Sequence, residues 1–130
     1  MKKILMLLFA CIAIVAQAQV LSYRTTAFYS SENTSYGWTN WSSPQSSNIY
    51  MQIDWDNALV YIDSNYRQLY QIVKVTGRYR DSDNSEICEM KVIDQDGDRG
   101  TMKLAIRPNG KSQIYIIFSN IRWCYDVVRL

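Results

Sequence analysis

The sequence contains no histidine among its 130 residues. Histidine is the commonest general base in enzymes and a frequent ligand of transition metals. Its absence excludes histidine-dependent catalytic triads and most zinc sites. No nucleophile motif is present either, so we expect a protein that is not an enzyme, with no catalytic residues, no metal and no cofactor.

Beyond residue 18 the sequence also lacks any stretch with the 3.6-residue apolar period of an amphipathic helix. Apolar and polar residues alternate over short segments instead, which is typical of strands with one face in a core. Ten Tyr and four Trp favour strands as well, because aromatic side chains pack well on a pleated surface. The sequence therefore predicts an all-β fold.

The first 18 residues have the three parts of a secretory signal peptide. A positive start at Lys2 and Lys3 precedes an apolar run over 4–15, and a small-residue cleavage site ends at Ala18. The run is too short for a spanning helix, which needs about 20 residues. A lipid-attached Cys11 is disfavoured because apolar residues follow it. We expect an exported, bacterial protein that is periplasmic or extracellular, with 1–18 removed and 19–130 as a single all-β domain.

Removal of the signal peptide changes the charge of the chain. Lys2 and Lys3 leave with it, so the remaining 12 basic residues match the 12 acidic ones. A net charge near zero gives no electrostatic reason to bind a polyanion, so we expect no nucleic-acid partner.

Eight alternating segments are separated by turn residues such as Asp56-Asn57, Asp96-Gly97 and Asn109-Gly110. Consecutive hairpins predict an antiparallel up-and-down barrel, calycin-like in architecture, in which closure removes the exposed edges. A two-sheet β-sandwich fits the same strand count. The predicted strands are 22–30, 48–55, 59–63, 66–80, 86–94, 101–107, 112–119 and 121–129.

The outward positions of these strands carry charged residues such as Glu89, Lys91 and Lys103. A membrane barrel needs an apolar band on its outer face, so we expect a protein that is not membrane-embedded.

The acidic residues clustered around Asp94, Asp96 and Asp98 resemble a calcium loop at first sight. The EF-hand spacing is broken, however, because Arg99 stands at the sixth place, where that loop needs glycine. Asp-Gly between two alternating segments indicates a hairpin turn instead.

Cys88 and Cys124 are the two cysteines that follow the signal peptide. An oxidising compartment favours a disulfide between them. The alternation places Cys88 with the core and Cys124 on the opposite side, which argues against it. Both outcomes remain open from the sequence.

Trp38 and Trp41 stand in a polar segment, rich in Ser, Asn and Thr, between the first two predicted strands. One interpretation is a binding platform for a protein or glycan, since flat aromatic rings anchor interfaces. The other, which we favour, is a lid that closes one end of the barrel. Trp55 and Trp123 lie on apolar strand faces and are expected in the core.

Two functions follow from these observations. The first is a non-catalytic binding or interaction role toward an unknown protein or glycan, through Trp38 and Trp41. The second is a small calycin-like carrier with a hydrophobic ligand inside the barrel. The resemblance is one of architecture alone, since the lipocalin Gly-x-Trp motif is missing and Gly37 directly precedes Trp38. The bulky inward residues predict a filled interior rather than a cavity.

Overall fold

The structure is a computed structural model, and it describes residues 20–130. The predicted signal peptide and Cys11 lie outside the described residues. Ten strands are present: β1 (Val20–Thr34), β2 (Gly37–Trp38), β3 (Gln45–Ser46), β4 (Tyr50–Asp54), β5 (Leu59–Asp63), β6 (Arg67–Arg80), β7 (Glu86–Asp94), β8 (Arg99–Ile106), β9 (Ser112–Ile117) and β10 (Ile121–Arg129).

Eight of these strands form a closed antiparallel barrel. Each strand from β4 to β10 pairs with the next one along the chain, and β1 pairs with β4 on one side. On its other side β1 pairs with β10, from Tyr23 opposite Arg129 to Glu32 opposite Ile121. This last pairing closes the sheet, so the barrel prediction is confirmed and the sandwich alternative is wrong.

The eight predicted strands correspond to the eight barrel strands. The largest difference is β1, which continues to Thr34 instead of ending at Ser30. The segment predicted as a polar loop contains β2 and β3, and both pair with β1. The loop is therefore hydrogen-bonded to the wall over part of its length.

The hairpin between β7 and β8 shows how the turn residues fix the connections. Gly97 has a φ of 87°, which glycine adopts without steric cost. The Asp94 carboxylate accepts hydrogen bonds from the backbone N–H of Asp96 at 2.9 Å and of Asp98 at 2.8 Å. The predicted hairpin is therefore present, and Asp94 stabilises its turn.

The interior of the barrel is filled by side chains. Inward positions of β4, β5, β7, β8 and β9 carry large apolar residues with an exposed fraction of 0–1%. A closed eight-stranded barrel has an interior just wide enough for such a filling. These residues are Met51, Ile53, Val60, Ile62, Met90, Val92, Met102, Ile114 and Ile116.

Aromatic rings occupy the upper end of the barrel, where the turns at 64–66, 95–98 and 118–120 lie. Phe118 packs edge-on against Trp123 with ring centroids 5.8 Å apart, and Tyr70 lies 6.4 Å from Phe118. Phe28 contacts Tyr125 at 5.1 Å. Trp123 and Trp55 both pack against the core, as predicted.

Within residues 20–130 the structure contains no helix that is long and apolar enough to cross a membrane.

Candidate functional site

The outer face of the barrel wall carries the side chains that do not contribute to the core. On β10, Trp123 and Tyr125 contribute to the core, so the alternating residues Arg122, Cys124 and Asp126 face outward. Arg122 lies opposite Ser31 on β1 and Ile117 on β9. The candidate binding residues Trp38 and Trp41 meet the wall at this position.

Both tryptophans pack on the guanidinium group of Arg122. Its central carbon lies 4.6 Å from the ring centroid of Trp38 and 4.5 Å from that of Trp41. Trp41 also contacts Tyr115 on β9 edge-on, with centroids 6.0 Å apart. The lid interpretation is therefore wrong: the two rings cover the outside of the wall, and other aromatic residues close the upper end.

Cation–π contacts supply the attraction that holds these rings. The Arg122 Nε is buried and has no hydrogen-bond partner among the described residues, so no hydrogen bond stabilises this nitrogen. A guanidinium group over an aromatic face is stabilised by about 0.5–1 kcal/mol at exposed sites and by more when it is desolvated. The arrangement fixes both Trp38 and Trp41 against β10.

Hydrogen bonds to β1 fix the backbone that carries the rings. The N–H of Thr39 donates to the Glu32 carbonyl at 2.8 Å, and the N–H of Ser42 donates to the Ser30 carbonyl at 2.8 Å. The Ser31 hydroxyl, on a residue only 2% exposed, donates to the Thr39 carbonyl at 2.7 Å. These hydrogen bonds attach the segment to β1.

The surface of this segment is aromatic and uncharged. Residues 35–48 contain no Asp, Glu, Lys or Arg. Trp38 keeps 37% of its area exposed, and Tyr36 is 99% exposed at the tip of the hairpin between β1 and β2. We call residues 35–48 the tryptophan segment.

A polar network covers the wall next to the tryptophan segment. Arg107 donates to the Gln113 side-chain carbonyl from Nε at 2.9 Å and from Nη2 at 2.7 Å, and Nη2 also donates to the Tyr115 hydroxyl at 2.6 Å. Its Nη1 donates to Asp81 at 3.2 Å and to the Ser85 hydroxyl at 3.1 Å. These bonds join the β6–β7 turn to β9.

The network continues from β9 to β1. Gln113 Nε2 donates to Asp126 Oδ1 at 2.8 Å, and the Tyr29 hydroxyl donates to Asp126 Oδ2 at 3.0 Å. That hydrogen bond to the carboxylate raises the pKa of Tyr29. Each carboxylate oxygen of Asp126 is thus occupied by a donor, which is the pattern of a structural network rather than of a free general base.

Cys124 lies beneath this network and is not an activated thiol. Burial raises its pKa to about 12, so the thiolate that would act as a nucleophile is not formed near neutral pH. Burial also raises the pKa of Tyr115 to about 12. The wall therefore offers no nucleophile at this position.

Cys88 and Cys124 are both buried, and no disulfide joins them. Cys88 belongs to the core, whereas Cys124 faces outward on β10, with β8 and β9 between their strands. Three strand spacings separate them by about 14 Å along the wall, and a disulfide needs Cα atoms within about 7 Å. The disulfide alternative is therefore wrong for this fold.

The acidic side chains of residues 20–130 form no group of three or more that is placed to hold a metal ion. Asp81 accepts two hydrogen bonds within its own turn: the backbone N–H groups of Ser85 and Asp83 donate to its carboxylate at 3.0 and 2.9 Å. These bonds, the one from Ser85 foremost, and the nearby Arg107 hold the pKa of Asp81 below its usual value. The carboxylates of Asp81 and Asp94 therefore have structural partners.

A second feature of the outer wall is an open groove of about 700 Å³ across β6, β7, β8 and β9. Lys74, Lys91 and Arg99 line it, together with apolar side chains that include Val73 and Phe118. No acidic residue contributes to its lining. We call this site the cationic groove.

Sequence reasoning missed Arg122 and the cationic groove. The alternation of β10 places Arg122 outward, but nothing in the sequence pairs it with rings more than 80 residues earlier. The groove depends on a register shift between Ile72 and Lys74, which the alternation of β6 does not reveal. The outward positions of Lys91 and Lys103 were the one available signal of a charged wall.

Comparison with known proteins identifies no similar protein. No protein-family model matches the chain, and neither a curated protein nor a solved structure shows significant similarity to it.

Proposed function

We propose that the protein is an exported, non-catalytic binding module that contacts a protein partner through the tryptophan segment. The observation that carries the proposal is the pair of tryptophans held on the outer wall by Arg122, with Trp38 still 37% exposed. Large aromatic side chains exposed on a soluble domain cost stability in water, and their burial under a partner removes that cost.

The composition of the segment supports a protein partner. Residues 35–48 consist mainly of Ser, Asn, Thr, Gln, Tyr, Gly and Trp. Antibody loops use the same types, with rigid aromatic anchors among small, adaptable hydrogen-bonding residues. Trp, Tyr and Arg are also the residues that most often dominate the binding energy of protein interfaces.

The rigidity of the segment supports the same proposal. Ordering a mobile side chain at an interface costs about 0.5–1.5 kcal/mol, and a preorganised surface avoids that cost. The hydrogen bonds to β1 and the contacts with Arg122 order the two rings in the free protein.

Transport of a hydrophobic ligand inside the barrel has less support. The inward side chains from β4 to β9 fill the interior, and the exposed fractions of Met51, Met90 and Ile114 are 0%. A carrier of this architecture needs an internal cavity for its ligand.

The proposal is tested by capture of partners with purified residues 19–130. The bait is immobilised, exposed to envelope and secreted proteins of the producing bacterium, cross-linked and analysed by mass spectrometry. The variants are Trp38→Ala and, as a control with an exposed aromatic residue elsewhere, Tyr66→Ala, which is 87% exposed in the wild type.

We expect a protein captured by the wild type and by Tyr66→Ala but lost with Trp38→Ala. A partner lost equally with both variants, or with neither, contradicts the proposed surface. A glycan-array signal that depends on Trp38, in the absence of any protein partner, assigns the segment to glycan binding and overturns the choice of a protein.

A further inference from the structure

We propose that the cationic groove binds a free amphipathic carboxylate, an alkyl chain that ends in an anionic head group. The site is distinct from the tryptophan segment and does not depend on the function proposed for it.

The charge of the groove is unbalanced within the protein. Lys74 lies directly opposite Lys91 in the β6–β7 pairing, and Arg99 lines the same groove. In the part of the chain that the structure describes, none of these three cations lies within 4.0 Å of an acidic oxygen. Like charges directly opposite each other on neighbouring strands destabilise a sheet, and an anion between them relieves that repulsion.

Two other cations of the barrel, Lys103 and Arg107, differ in this respect. Lys103 pairs with Glu89 at 3.6 Å, and Arg107 pairs with Asp81 at 3.2 Å. The Lys91 ammonium donates only to the Thr101 hydroxyl, at 2.8 Å, which leaves its charge uncompensated. Lys103 and Arg107 are thus paired with carboxylates, whereas Lys74, Lys91 and Arg99 are not paired with any among the described residues.

Two local features contribute to the apolar part of the groove. A register shift between Ile72 and Lys74 leaves Val73 outside the pairing, with 54% of its area exposed beside the exposed Lys74. Bulges of this kind redirect side chains and occur often next to functional sites. Val73 therefore presents an apolar surface beside the lysines.

Gly100 is the second feature. A Cβ at this position lies 3.0 Å from the Ile117 carbonyl oxygen and 3.0 Å from a ring carbon of Phe118, so no larger residue fits without displacement. The Phe118 ring therefore packs directly against the backbone of β8. Phe118 also belongs to the lining of the groove.

The dimensions suit a small molecule. A volume of about 700 Å³ falls within the range of about 300–1,000 Å³ that is typical of small-molecule sites. Three cations at an apolar surface match a ligand with one anionic head and an alkyl tail. A fully polar anion leaves Val73 and Phe118 exposed, and a neutral alkane leaves the cations unpaired.

The test is calorimetric titration of residues 19–130 with dodecanoate at fixed ionic strength. Dodecyltrimethylammonium has the same tail with the opposite charge, and inorganic phosphate tests the anionic head alone. We expect dodecanoate to bind more tightly than either probe. Equal binding of the two dodecyl compounds, or no binding of dodecanoate below about millimolar concentration, overturns the proposal.

Variants locate the binding at the groove. Lys74→Gln with Lys91→Gln is expected to weaken dodecanoate at least tenfold, and Val73→Ser to weaken it several-fold. Lys111→Gln, in the exposed β8–β9 turn, is the matched control and should stay within twofold of the wild type. Circular dichroism verifies that each variant is folded. An equal loss in Lys111→Gln contradicts a specific site.

A membrane surface is the competing source of the same chemistry. Vesicles of phosphatidylglycerol are therefore tested by co-sedimentation with the same proteins. Binding to vesicles that is lost with Lys74→Gln and Lys91→Gln, without dodecanoate binding in solution, reassigns the groove to lipid head groups and overturns the free ligand.

Discussion

Arg107 connects more of the outer wall than any other side chain described above, and its removal should measurably destabilise the barrel. Arg107→Ala removes the guanidinium N–H groups that donate hydrogen bonds to four residues, which are Gln113, Tyr115, Asp81 and the fully buried Ser85. A hydrogen bond from a charged donor contributes about 1.5–3 kcal/mol, and an orphaned buried hydroxyl costs about 1–3 kcal/mol. The partly exposed ion pair with Asp81 adds at most about 1 kcal/mol.

These contributions are not additive, because all of them belong to one guanidinium group. We therefore expect Arg107→Ala to lower the free energy of unfolding by about 3–4 kcal/mol, a large share of the 5–15 kcal/mol typical of a domain. Urea unfolding followed by Trp fluorescence is the assay. With an m value of about 1.5–2 kcal/mol/M, the midpoint falls by about 2 M.

Two further variants separate the network from the charge. Arg107→Lys keeps the positive charge but loses the planar fork, so it should recover less than half of the lost stability. Lys111→Ala removes an exposed cation from the same turn and should change stability by no more than about 0.5 kcal/mol. An Arg107→Ala protein within about 1 kcal/mol of the wild type, at unchanged m value, refutes the reasoning.

Four further outcomes are expected. Iodide should quench only part of the tryptophan fluorescence, and Trp38→Phe should remove most of the quenchable part, since Trp38 is the exposed ring; full quenching contradicts the filled core. A thiol reagent should leave Cys88 and Cys124 unmodified in the native protein and label both in urea, because both are buried. Met90→Ala, at a position with 0% exposure, should cost about 2–5 kcal/mol in urea unfolding. The pKa of Asp81 lies below 3.8 in the folded state, so its charge stabilises the fold above that value and the contribution is lost as the pH falls through the folded pKa. Asp81→Asn should therefore make stability less dependent on pH below about 4, as measured by urea midpoints across that range.

The barrel was predictable because local signals determine it. Alternation and turn residues mark the eight long strands, and each pairs with a sequence neighbour except at the closure. Cys88 and Met90 point inward as their alternation predicts. Turn chemistry is equally local: Asp94 and Gly97 form the β7–β8 turn within five residues.

The placement of Trp38 and Trp41 was not predictable on the same grounds. Their position depends on Arg122, which reaches them only because β1 and β10 are adjacent in the closed barrel. The lid interpretation places both rings over the core. It is wrong because the rings pack on the guanidinium group of Arg122, on the outer face of the wall. The groove was missed for a related reason: the bulge at Val73 is a property of pairing, and alternation along one strand does not encode it.

The pairing of β1 with β10 has a consequence for how the chain reaches its native state. Their contacts join residues about 100 positions apart, such as Tyr23 with Arg129. Contacts at such separation slow folding, because the entropy of closing the loop is lost before the contacts form. Until Ile121–Arg129 emerges from the ribosome, β1 and β9 each retain an unpaired edge. The barrel therefore completes only when the whole domain is released, and a chain held back at β10 is a sheet open to pairing with other chains.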